Sequence, residues 1–164
     1  MPILDMPFHF VRWCNPLEII KVNPSNRSKQ KALKGELDII DSEVVFKSNK
    51  PLDLPLGLRG SSQVIPFGDN GDRICVTHET HFFWHQNKKK DAQYYHRFII
   101  WDKDWKVKKV SEQFKFMDAM IEFACGLVIK DNNFIITYGY QDNAAYALKM
   151  PIQLLDKLKW DIDE

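Results

Sequence analysis

"GLVIKDNNFIITYGYQDNAAYALKMP", residues 126–151, decides the fold. Apolar runs at 121–130 and 133–139 flank the polar "DNN", and a run of small residues, 144–149, follows "YGYQDN". Runs this short, rich in β-branched and aromatic residues and bounded by Asp and Asn, read as strands joined by tight turns. The stretch also carries an ambiguity. Gly139 permits a bulge or the close approach of a ligand, and Asp142 beyond it is an acceptor for sugar hydroxyls. Asp and Asn equally favour a plain turn. Both readings stand at this level.

The same kind of run recurs outward along the chain. Strands are expected near 8–13 (FHFVRW), 17–22 (LEIIKV), 43–47, 62–67 (SQVIPF), 73–79 (RICVTHE), 95–102 (YHRFIIWD) and 106–111. Segment 25–36 is polar without apolar periodicity and reads as an exposed loop. So does 86–92, whose three-lysine run suits a solvated surface. Only 151–160 looks helical: Pro151 suits a first-turn position, and Leu154, Leu155 and Leu158 share one face.

A strand pattern appears three times, in "FHFVRW…LEIIKV", "RICVTHE…YHRFIIWD" and "NFIITYGYQD…AAYALK". Trp13, His78 and Tyr138 take roughly equivalent places, at a period of about sixty residues. The expected fold class is therefore all-β: antiparallel meander blades of a partial β-propeller with a short C-terminal helix. One domain, 1–164, would hold about two and a half blades, near 8–47, 59–111 and 121–150.

Composition narrows the function. The chain has 164 residues, 45% hydrophobic and 27% charged, with a net charge of +1, so no general field draws it to nucleic acid or an anionic membrane. The aromatic share of 13% supplies core anchors and also the ring faces on which pyranose sugars stack. Cys14, Cys75 and Cys125 lie in or beside apolar runs and read as reduced core residues. No signal peptide opens the sequence and no run reaches membrane-spanning length, so a cytoplasmic protein is expected.

Four segments carry candidate chemistry. In "RGSSQVIP" (59–66), Arg59 is a rigid donor fork beside the compact polar groups Ser61, Ser62 and Gln63; a polar turn is the bland alternative. In "VTHETHFFWH" (76–85), His78, His81 and His85 invite a metal. On a strand, however, His78 and His81 point to opposite faces, so no metal site is assigned. His78 with Glu79 makes the better polar site. In "MIEFACGL" (120–127), Glu122 sits among apolar neighbours and is either paired, used in a site or turned to solvent. Asp142 is the fourth.

Taken in order, "RGSSQVIP", "ICVTHET", "YHRFIIWDKD", "IEFACGLVIKD", "FIITYGYQD" and "NAAYALKMP" resemble the C-terminal part of the five-bladed propellers of the β-mannoside phosphorylase and mannosidase family, glycoside hydrolase family 130. The resemblance covers about 59–150. It implies a phosphate or catalytic-water side near Arg59 and His78, and a sugar contact at Asp142. Here "THE" replaces the family's "YHG", so Glu79 stands where that pattern has glycine. The family's catalytic acid lies on an earlier blade, and 1–58 supplies no evident equivalent.

These readings together predict a carbohydrate-active module related to glycoside phosphorylases and hydrolases. A saccharide would lie in a strand-end cleft lined by Arg59, Ser62, Gln63, His78, Glu79, Glu122, Tyr138 and Asp142. If it is an enzyme, Glu122 or Asp142 is the candidate acid, and inorganic phosphate is a possible co-substrate with no other cofactor. The alternatives are a non-catalytic glycan-binding or glycosyltransferase-associated module, with Trp84 or Trp101 stacking on sugar, or a protein-interaction propeller fragment. Exposed strand edges in a partial ring predict self-association or a completing partner domain.

Overall fold

The computed structural model describes residues 1–27, 40–54, 57–86 and 90–163. Most of the expected loop at 25–36 lies outside these, as do Lys88 and Lys89 of the lysine run. The described chain is almost entirely strand. β1 (His9–Cys14), β2 (Leu17–Arg27) and β3 (Ile40–Lys47) form a first antiparallel sheet in chain order. β4 (Arg59–Gly60), β5 (Ile65–Phe67), β6 (Asp72–Trp84), β7 (Lys90–Trp101) and β8 (Val107–Ser111) belong to the second, whose outer strand is β12 (Trp160–Asp163). β9 (Glu122–Lys130), β10 (Asn133–Tyr140) and β11 (Ala144–Pro151) make the third. Every pairing in the sheets is antiparallel.

The second sheet lies between the other two. One core joins Val11, Cys14, Leu17 and Ile19 of the first sheet to Cys75, Ile99, Trp101 and Val110 of the second. The other joins Val76, Phe98 and Ile100 of the second to Ala124, Leu127, Phe134 and Ile136 of the third. This explains a difference legible in the sequence. β6 and β7 carry unbroken apolar runs at Ile74–Val76 and Phe98–Trp101 because both faces are buried there. β9 and β10 alternate buried and open residues because one face is covered. The arrangement is a face-to-face stack of meander sheets, as in a segment of a propeller.

The turns follow from residue chemistry. Asp131 and Asn132 join β9 to β10 at φ of 49° and 57°, and Gln141 and Asp142 begin the link from β10 to β11 at 53° and 51°. Paired left-handed residues match the twist of antiparallel strands, and Asp and Asn tolerate that region best among residues with a side chain. The short C-terminal helix is present as a 3-10 turn over Ile152–Lys157, in which Leu155 alone is buried. The expected helical face runs out there, because Trp160 begins β12 and pairs with Ser111. Among the described residues no helix is long and apolar enough to cross a membrane.

The edge of β9 facing the second sheet is capped by side chains. Ala124 N–H donates to His96 Nε2 at 3.2 Å, and Gln63 brackets Leu127, donating to its carbonyl at 2.5 Å and accepting from its N–H at 3.3 Å. Unpaired strand edges need such cover.

Candidate functional site

His78 lies in the middle of β6, opposite Arg59 on β4 and His96 on β7. It is 6% exposed. Its ring stacks on Tyr94 at 5.4 Å and meets the edge of Phe123 at 5.0 Å, while Nδ1 lies 2.8 Å from the Ser61 hydroxyl. Burial first, and then the Arg59 guanidinium, push its pKa down to about 4. His96 behind it is driven to about 3, by burial first and His78 second. Because His96 Nε2 accepts the Ala124 N–H, its proton sits on Nδ1, which has no partner among the described residues. Both imidazoles are neutral at pH 7.

Alternation along β6 then separates two residues that the sequence reading places in one site. His78 faces the third sheet, whereas Glu79 faces the other way. Glu79 is fully buried and bound to Arg97, whose Nε lies 2.6 Å from its carboxylate. Gln113 donates to the other Glu79 oxygen, and Arg97 also bonds the Ser111 carbonyl at 2.6 Å and Asp161. The network ties β6, β7, β8 and β12 together, and the Glu79 carboxylate is fully used. Gly60, beside Arg59, is needed for close approach: an added Cβ would meet the Met1 side chain at 2.6 Å.

Glu122 is also fully buried and structural in its contacts. Its carboxylate accepts the backbone N–H groups of Phe116 at 2.7 Å, Met117 at 3.1 Å and Ala119 at 3.0 Å. That holds the loop before β9. Ser62 is bonded to the backbone of Val76 at 2.9 Å, and Gln63 caps β9 as described. Tyr138 stacks on Phe116 at 4.4 Å. Burial, and then Glu122, raise its phenol pKa. Asp142 is exposed at a left-handed position in a turn closed by Asn143 N–H to Tyr140 O at 3.0 Å. Gln141 N–H anchors that turn to the Ile121 carbonyl at 2.8 Å.

What stays open is an aromatic face. Beyond Thr80 and Tyr94, β6 and β7 pair only with each other among the described residues. Phe82 and Trp84, on the His78 face of this ribbon, are 53% and 68% exposed. The Lys90 ammonium sits 3.8 Å from the Phe82 ring centre. Phe123 is 38% exposed, and Arg59 is exposed with no ion pair among the described residues. Trp101, by contrast, is fully buried in the core and cannot stack on a ligand. Cys125 is exposed on the third sheet, not buried as expected, whereas Cys14 and Cys75 lie in the core. Sequence reading passed over Tyr94, His96 and Arg97. Pairing "THE" with "YHR" as one hairpin would have placed His96 across from His78 and Arg97 diagonal to Glu79.

Two clefts lie elsewhere. One of about 610 Å³ is lined by Leu17, Phe46, Leu52, Trp105 and Lys50 among others. One of about 330 Å³ lies beside Leu155 and Trp160.

No protein-family profile and no curated protein matches the chain. Among solved structures it is similar to MPT-4, a mannose phosphorylase from Leishmania mexicana in complex with phosphate ion, with a TM-score of 0.48 and 12% identity. The alignment covers 90% of this chain and 51% of that one, so the chain spans about half the length of the phosphorylase.

Proposed function

We propose that the chain is a carbohydrate-binding module that holds a saccharide on the open face of β6 and β7 without cleaving it. The observation that carries this reading is the exposed pair Phe82 and Trp84, continuing the ring face begun by His78, Tyr94 and Phe123. Rigid aromatic faces offer large apolar area at low entropy cost, and the Arg59 fork beside them suits vicinal hydroxyls. Binding is favoured over catalysis by how the two buried carboxylates of the region, Glu79 and Glu122, are used. A glycosidic cleavage needs a general acid free to reach the bond. Glu79 and Glu122 spend their oxygens on Arg97, Gln113 and three backbone N–H groups.

A panel of mannosides and other oligosaccharides, with and without inorganic phosphate, tests this by calorimetry and by chromatography of the products. The expected result is binding without release of sugar or sugar phosphate. Trp84→Ala should weaken it about tenfold, the loss of one stacked ring. Binding unchanged in a Phe82→Ala, Trp84→Ala double variant would refute the face. Turnover of any glycoside would refute the non-catalytic assignment.

A further inference from the structure

The first sheet carries large apolar side chains on both faces, yet among the described residues only one face is covered. Its inner row, Val11, Ile19 and Phe46, packs on the second sheet. Its outer row, Phe10, Ile20 and Val44, crosses all three strands with nothing packed over it in the described structure. Trp13 and Val44 on that face are 58% and 50% exposed, and Phe8 nearby is 56% exposed. A contiguous patch of large apolar side chains marks an interaction surface. Among the described residues the carboxylate on the face is Glu18, which is paired with Arg12 at 2.7 Å and Lys47 at 3.6 Å.

The far end of the stack offers the opposite relief. Across the middle of the third sheet's outer face run the small residues Gly126, Thr137, Ala147 and Gly139, Ala145, with Cys125 alongside; Phe123 pairs at the β9 end of the second row, and the larger row Val128, Ile135, Lys149 lies beside the first. Thr137, Ala145, Ala147, Cys125 and Val128 are all exposed. Large side chains on one sheet meeting small ones on another interdigitate well. Two copies of the first-sheet face would instead set large against large.

We propose that the outer face of the first sheet is covered by the outer face of the third sheet of a second copy. Two chains then close head to tail, and three sheets from each make a ring of six. That number falls within the range of closed propellers. Such a contact is heterologous, and it closes only if both ends of each chain engage at once. It uses neither Phe82 nor Trp84 and does not rest on saccharide binding.

Sedimentation equilibrium of the purified chain tests this. A discrete dimer is expected. Val44→Asp and Ala147→Arg each put a charge on one face, and each alone should weaken association about 100-fold with the strand signal in circular dichroism unchanged. Mixing the two variants should restore dimers, because one of the two contacts is then wild type on both sides. As a second measurement, a Val44→Cys chain treated with a bis-maleimide should crosslink position 44 of one copy to Cys125 of another. A monomer at all concentrations overturns the proposal. So does a mass that keeps growing, a dimer indifferent to Ala147→Arg, or crosslinks only between two copies of position 44.

Discussion

Replacing Glu122 by Gln separates a structural carboxylate from a chemical one. In the fold, one Glu122 oxygen takes Phe116 N–H at 2.7 Å and the other takes Met117 and Ala119 N–H at 3.1 and 3.0 Å. Gln keeps one acceptor oxygen but turns an NH₂ toward at least one of these donors. One charge-assisted bond is lost and the remaining ones weaken, at about 2 to 3 kcal/mol in total. Alanine leaves all three donors without this partner and should cost about 4 kcal/mol or more, a large part of a domain's stability. With a urea m-value of about 2 kcal/mol/M, Glu122→Gln should lower the unfolding midpoint by about 1 M. Urea titration followed by circular dichroism measures this. A midpoint unchanged within about 0.2 M, on that same m-value scale, combined with lost saccharide binding, would refute the reasoning and return Glu122 to the site.

Three further outcomes follow from the same geometry. His78 and His96 have pKa values near 4 and 3 in the fold against an ordinary 6.5, so the unfolded chain takes up protons first. Stability is complete above about pH 6.5 and should fall by about 4 kcal/mol between pH 7 and pH 5 in thermal or urea melts; a flat profile would contradict the buried neutral pair. Gln63→Ala removes both bonds to Leu127 and should cost about 1 to 3 kcal/mol, with amide exchange rising first along β9. Asp142→Gly should leave stability within about 0.5 kcal/mol, whereas Asp142→Val should cost about 1 to 2 kcal/mol, because φ is 51° there. Equal melts for the two would show that the turn does not set this residue.

The strands were legible because period and composition report local geometry. Each apolar run read as a strand contains one, including "IEFACGLVIK" and "NFIITYG" on either side of the left-handed Asp131–Asn132 turn. The ends were less so. β6 runs on through Phe82 and Phe83 to Trp84 and β7 starts at Lys90, because the two pair with each other as a ribbon whose β7 half, "KDAQ", is polar and carries no strand signal. Trp160 was read as the end of a helix because its partner, Ser111, is distant in sequence. The site residues show the same limit. His78 and Glu79 are neighbours in the chain but face different sheets, and only the pairing of β6 with β7 reveals that Arg97 claims the Glu79 carboxylate. For Glu122 the sequence left open a paired, a used or a solvent-facing carboxylate, and the fold buries and pairs it. Its partners, three backbone N–H groups of one loop, have no side-chain signature. The three supposedly equivalent positions also diverge: Trp13 is exposed while His78 and Tyr138 are buried.

The most direct test of saccharide binding on the ribbon is an NMR titration of the labelled chain with an oligosaccharide that it binds. Shifts concentrated at Arg59, Phe82, Trp84, Tyr94 and Phe123 are predicted. Shifts confined to the cleft around Phe46, Leu52 and Trp105, or scattered with no cluster on β6 and β7, would contradict the account.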